Sequence, residues 1–147
     1  MSSELQDLYQ EVIIGHSQHP RNFQVMEDAT HQASGDNPFC SSGDHIDVYL
    51  RIEKGRVQRV SFSGKGCAIS TASASMMTEN IKGKPVSEVK ALSESFHEMV
   101  TSSDEPDLVN MGKLAALAGV REFPLRVKCA TLPWHTLNAA LMESMDD

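Results

Sequence analysis

A chain of 147 residues with 40% hydrophobic and 22% charged residues is long enough to bury a real core and ordinary for a globular protein. A formal net charge of −7 excludes a basic nucleic-acid-binding stripe and suits solubility or docking to a basic partner face. With no apolar run of membrane-span length and no basic-then-apolar leader, the expectation is a cytoplasmic protein forming a single domain over residues 1–147.

Leu5, Leu8, Tyr9, Val12 and Ile13 recur at helical spacing and predict an amphipathic helix over residues 4–17, closed by Gly15 and Pro20. A short strand is expected near Ala29–Ala33, then a loop from Asp36 to Gly43. Ile46, Val48, Leu50 and Ile52 alternate with His45, Asp47, Tyr49 and Arg51, the pattern of a half-buried strand. Glu53–Arg56 turns the chain, and Val57–Phe62 returns as the second arm of a hairpin. The start of one arm then lies beside the end of the other, so Cys40 and Cys67 can be brought together. Gly64-Lys65-Gly66-Cys67 leads into a helix of small residues that runs to about Lys82 and stops at Gly83 and Pro85. Val86, Val89, Leu92, Phe96, Met99 and Val100 predict one or two further short helices. Thr101–Asp107 reads as an acidic linker, and Leu108–Ala118 as a helix capped by Gly119. A last helix carries Leu125, Cys129, Leu132, Thr136, Ala139 and Ala140 on one side, with Pro133 either starting or kinking it. The expected architecture is α+β, a small antiparallel β-sheet with helices packed on one face.

The three cysteines cannot all pair with one another, and in a reducing compartment they read as metal-binding, reactive or buried. A lone cysteine is more often a small buried hydrophobe. Here each one falls at a break between elements, and Asp44 stands close to Cys40. Cys67 meets the unpaired N–H groups and positive dipole end of a helix, which favour thiolate over thiol. Three thiolates and a carboxylate make a four-coordinate Zn²⁺ site, and the same soft ligands hold an iron–sulfur cluster. Asp44 and His45 are consecutive in a strand, so only one of them can face such a site. His16, His19, His31, His97 and His135 show no ligand spacing among themselves, and no local pattern supports a cysteine hydrolase.

Three stretches carry a family resemblance: Asn37-Pro38-x-Cys40, Gly64-x-Gly66-Cys67-x-Ile69-Ser70-x-Ala72-Ser73-Ala74-Ser75-Met76-Met77, and Arg126-Val127-Lys128-Cys129-Ala130-Thr131-Leu132. Together with Leu8-Tyr9 and His19-Pro20-Arg21-Asn22, they resemble the SufU-type iron–sulfur cluster assembly proteins of the IscU/NifU-N-like family. The separation of Cys67 from Cys129 and the lysine at 128 are similar to the SufU branch. The resemblance implies an IscU/SufU-like fold and a zinc-dependent sulfur acceptor, at most a sulfurtransferase acting with a cysteine desulfurase of the SufS type. Sulfur then passes to a downstream cluster-assembly complex. It implies Zn²⁺ on Cys40, Asp44, Cys67 and Cys129. Cys40 leaves the metal to take the persulfide, a desulfurase histidine replaces it, and Arg126 steadies the released thiolate. Two other readings use the same residues: a scaffold on which a cluster is built, and a structural zinc module that only binds a partner. One feature departs from the family pattern Cys-Gly-Asp, because Cys40-Ser41-Ser42-Gly43-Asp44 is two residues longer. A bulged loop keeps Asp44 in its expected order before the strand.

Overall fold

The chain runs α1 (Ser3–Gln18), β1 (His31–Asn37), β2 (Asp44–Glu53), β3 (Arg56–Lys65), α2 (Ala68–Ile81), α3 (Val86–Thr101), 3₁₀ turns over Gly112–Glu122, and α4 (Pro124–Met142). The structure is a computed structural model describing residues 3–38, 43–102 and 111–142, with side chains of α1 described from Gln10 onward.

The alternating stretch forms the hairpin β2–β3, longer at both ends than the apolar pattern alone. Lys54 and Gly55 both take positive φ, 54° and 75°, which is the backbone a two-residue hairpin turn of matching twist requires. Across the ladder Val48 pairs with Phe62, Leu50 with Val60 and Ile52 with Val57. A register shift beside Arg51 and Ile52 inserts one extra residue on β3, which explains why its buried hydrophobic residues are spaced 57, 60, 62. These side chains form one wall of the core.

β1 corrects the sequence reading in two ways. It starts at His31 instead of near Ala29, and it continues through Asp36 and Asn37, which were expected to be loop. His-Gln-Ala-Ser-Gly-Asp-Asn has little strand propensity of its own; pairing with β2, from His31 opposite Leu50 to Asn37 opposite Asp44, imposes the conformation. The sheet order is β1-β2-β3, antiparallel throughout.

Helices α2 and α4 pack on one face of the sheet, α2 against β3 and α4 against β1 and β2. Close approach of α4 depends on Gly35: a Cβ there would run into the Thr136 hydroxyl and meet Leu132 Cδ1 at 3.2 Å. The small residues of α2 serve the same end. The Ser73 hydroxyl donates to the Ala130 carbonyl at 2.6 Å and accepts the Trp134 indole N–H at 3.1 Å. Leaving that buried indole N–H unmet would cost about 1–3 kcal/mol. The Trp134 ring stacks on Phe96 with centroids 4.6 Å apart, joining α4 to α3. Residues 86–101 form one continuous helix, not two short ones. The helix expected to end at Gly119 is a run of 3₁₀ turns that begins at Gly112 and passes through Gly119 to Glu122; residues 103–110, with most of the acidic linker, lie outside the described residues. Pro133 neither starts nor ends α4, whose first residue is Pro124, a position where no N–H is needed.

The opposite sheet face is crossed by the chain between α1 and β1. Asn22 and Gln24 hydrogen-bond to Phe62 along the β3 edge, and the Thr30 N–H reaches the Leu50 carbonyl. Arg51 donates to the Asp28 carbonyl at 2.7 Å, and Arg59 pairs with the Asp28 carboxylate. The His-Pro-Arg-Asn stretch is therefore a clamp: the Arg21 N–H donates to Ser75 Oγ at 2.8 Å and Asn22 Nδ2 to Thr78 Oγ1 at 3.0 Å.

Ser75 Oγ also lies 2.7 Å from Nδ1 of His16, which is only 4% exposed. Oγ accepts the Arg21 N–H and keeps its own hydrogen for Nδ1, an arrangement that a neutral His16 with its proton on Nε2 satisfies. Burial holds the His16 pKa below its ordinary value, helped by Arg21 and more weakly by Lys113. Glu79, 3.5 Å from Nε2, pulls the other way but is half exposed and does not win. Above the ordinary histidine pKa both folded and unfolded His16 are neutral; below it only the unfolded chain takes the proton, so stability is lost as pH falls. The unfolding temperature should therefore drop as pH falls below about 6.5, and the drop should be smaller in His16→Gln. An equal drop in both proteins would show that His16 does not supply it.

Candidate metal centre

Because β2 and β3 run antiparallel with His45 opposite Lys65, the start of β2 and the exit from β3 lie side by side. The chain leaves β3 through Gly66 and enters α2, whose N-cap is Cys67 in extended backbone. The Cys67 sulfur accepts the Ser70 N–H at 3.5 Å, the bond an N-cap side chain makes. Asp44 is 3% exposed; its Oδ1 accepts the Cys67 N–H at 2.8 Å, and its Oδ2 lies 3.8 Å from the Cys67 sulfur. The Asp44 carboxyl group and the Cys67 sulfur thus share the positive end of α2.

Cys129 arrives from the other side, on the face of α4 turned to the sheet. Its sulfur, the Cys67 sulfur and an Asp44 oxygen lie within 4.8 Å of one another, the one such group of three or more potential metal ligands among the described residues. Burial pushes the Cys129 thiol well above its ordinary pKa, and Cys67 and Asp44 beside it push the same way. In that setting the sulfur becomes a thiolate when a cation joins it, releasing the proton. The Nδ2–H of buried Asn37 donates to the same sulfur at 3.7 Å. Zinc with tetrahedral geometry sets sulfur and oxygen ligands about 3.6 Å apart, close to the 3.8 Å between Cys67 Sγ and Asp44 Oδ2. The donor set fits zinc, and its sulfur-rich character equally suits an iron–sulfur cluster.

Of the residues singled out in the sequence, Asp44, Cys67 and Cys129 come together, while Cys40 lies outside the described residues. The longer Cys40–Asp44 segment leaves Asp44 as the first residue of β2, paired with Asn37 and turned inward. His45 takes the opposite face, with Nδ1 2.7 Å from Asp36 and Nε2 3.3 Å from Asp47. The Asp36 hydrogen bond raises its pKa. Arg126 is exposed on the first turn of α4, its guanidinium 4.4 Å above the Phe123 ring. His97 and His135, which share no sequence spacing, meet with ring centroids 5.6 Å apart in a groove of about 450 Å³ between α3 and α4. That pair does not join the thiolate group.

A family model described as the NifU-like N-terminal domain matches residues 8–130. The chain belongs to that family. Among its NifU-like relatives is the zinc-dependent sulfurtransferase SufU of Bacillus subtilis, 40% identical over 92% of this chain and 90% of that one. Another is the iron–sulfur cluster assembly scaffold protein IscU of Streptococcus pyogenes, 38% identical over 97% of this chain and 87% of that one. A crystal structure of a candidate SUF-system scaffold protein from Fervidobacterium islandicum matches with a TM-score of 0.83 at 33% identity, covering 95% of this chain and 99% of that one. The NifU-like fold therefore carries the α+β architecture expected from the sequence, helices on one face of a three-stranded antiparallel sheet.

Gly66, the residue before Cys67, has no room for a side chain. A Cβ at Gly66 would collide with the Ser70 hydroxyl and come within 2.9 Å of Asp44 Oδ1. Gly66→Ala must therefore move the carboxylate off the Cys67 N–H. Zinc affinity measured by chelator competition should fall by about tenfold or more, with far-UV circular dichroism unchanged. Affinity equal to the parent protein would show that Asp44 does not set it.

Proposed function

We propose that this chain is a zinc-dependent sulfur acceptor in iron–sulfur cluster assembly, one IscU/SufU-like domain over residues 1–147. In this reading it takes persulfide sulfur from a SufS-type cysteine desulfurase and passes it to a downstream assembly complex in the cytoplasm. The observation that carries the reading is the convergence of Asp44, Cys67 and Cys129 at one point, beside the paired strand ends Asn37 and Asp44 that flank Cys40 in the sequence. Three peptide units separate Cys40 from Asn37, a covalent reach of about 11 Å at most. Likeness to a relative named for zinc-dependent sulfur transfer supports the same reading.

The ligands in this proposal are Cys40, Asp44, Cys67 and Cys129, and bound zinc supplies the charge that keeps the thiols deprotonated. Cys40 is the acceptor. Its thiolate attacks the outer sulfur of the partner's cysteine persulfide; a new S–S bond forms on Cys40, and the partner's inner sulfur leaves as thiolate. The acceptor must change partners, whereas Cys67 caps α2 and Cys129 sits buried on α4. Arg126, one turn ahead of Cys129 on α4, supplies the cation that steadies the Cys40 thiolate once released.

The scaffold reading has its own support, the likeness to a relative named as an iron–sulfur cluster scaffold across nearly the whole chain. A colourless protein with about one zinc per chain favours transfer; a brown chromophore favours the scaffold. Cys40→Ala should abolish stimulation of the desulfurase while the fold persists, because the core cluster is built from other residues. Full stimulation by that variant would remove the transfer reading. Cys67→Ala should lose zinc and lower the unfolding temperature together, since Cys67 both ligates and caps α2; unchanged zinc content would remove it from the ligand set.

A further inference from the structure

Besides the ligands, two buried polar side chains of the described residues reach the sulfurs: Ser70, whose Oγ lies 3.7 Å from the Cys67 sulfur, and Asn37. Asn37 is the last residue of β1, is 5% exposed, and stands opposite Asp44 in the ladder. Its amide N–H donates to the Cys129 sulfur at 3.7 Å, joining positions 92 residues apart. Oxygen acceptors bond at 2.7–3.2 Å; sulfur is larger, and 3.7 Å is a bonded distance for it. The contact exists because Gly35 lets α4 settle on β1, which brings Cys129 over the strand end.

We propose that Asn37 is a positioning residue of the metal centre, its N–H fixing where the Cys129 sulfur sits and setting how strongly that sulfur donates to metal. This rests on Asp44, Cys67 and Cys129 being the ligands. A thiolate buried without a donor keeps its full charge in a medium that solvates it badly; one N–H bond withdraws part of that charge and offsets the burial. The two sulfurs are then treated alike. Cys67 takes its N–H from the Ser70 main chain, and Cys129 takes its own from the Asn37 side chain. Partners of this kind orient metal ligands, and losing one weakens metal binding by about 10–100-fold.

The test uses the full chain loaded with Co²⁺, as wild type, Asn37→Leu and Asn37→Asp. The aspartate keeps the shape of asparagine and replaces the donor by an acceptor, so it decides the matter where the leucine variant does not fold. Wild type is expected to show a sulfur-to-cobalt charge-transfer band. In the variants that band should move to longer wavelength, because a thiolate without its hydrogen bond gives up electrons more easily. Metal affinity by chelator competition should fall about tenfold or more. A purely structural asparagine would lower the unfolding temperature and leave the band where it was. An unmoved band with unchanged affinity in a folded variant overturns the role of Asn37 alone. Absence of the band in the wild type overturns the ligand set beneath it.

Discussion

The short bond from the Cys67 N–H to the Asp44 carboxylate is the interaction on which the site depends. It ties the first residue of β2 to the cap of α2, across the open end of the hairpin. A carboxylate this deeply buried is costly, several kcal/mol even after relaxation. A hydrogen bond to a charged group returns about 1.5–3 kcal/mol, and a helix N-terminus about 2 kcal/mol in favourable geometry. Those terms hold Asp44 in place but leave little to spare for a second anion beside it. The Cys67 and Cys129 sulfurs crowd the same end of the helix, and Cys129 in particular resists ionisation there. A soft divalent cation resolves the conflict, because it satisfies two sulfurs and one oxygen at once. The burial that disfavours a lone Cys129 thiolate is met when a metal ion joins it.

Bringing Cys129 to that point is a packing problem. α4 touches β1, β2 and α2, and two of these contacts rely on a small residue: Gly35 of β1 opposite Thr136, and Ser73 of α2 opposite Ala130. The Phe96–Trp134 stack and the Ser73 hydroxyl on the indole N–H then fix the helix in rotation. At the other end of α2, Ser75 and Thr78 anchor His16, Arg21 and Asn22. The motif residues outside the metal centre are thus mostly structural. They hold α2 against the sheet and α4 against both, so that the two fixed sulfurs keep a constant relation to the loop between Asn37 and Asp44.

Much of this was legible in the residues. The alternation from Ile46 to Ile52 produced β2, and the small-residue stretch after Cys67 produced α2. Alternation also divided Asp44 from His45, since a pleated strand cannot turn both to one side. β1 was read short because its residues have no apolar rhythm; its conformation comes from a partner strand, which a local pattern does not record. The stretch expected as a helix over Leu108–Ala118 forms 3₁₀ turns from Gly112 onward, and its alanines and leucines, buried from Leu114 to Ala118, suit either helix type. Asn37 was visible only as a neighbour of Cys40 in the Asn37-Pro38-x-Cys40 stretch. Its contact with a sulfur 92 positions away is set by tertiary packing, and no spacing rule reaches it.

X-ray absorption at the zinc edge of the protein as purified is the most direct measurement of the metal centre. The account predicts a four-coordinate shell dominated by sulfur at about 2.3 Å with one oxygen near 2.0–2.2 Å. A shell of nitrogen and oxygen alone, or protein that carries no zinc under conditions where its fold is intact, would contradict it.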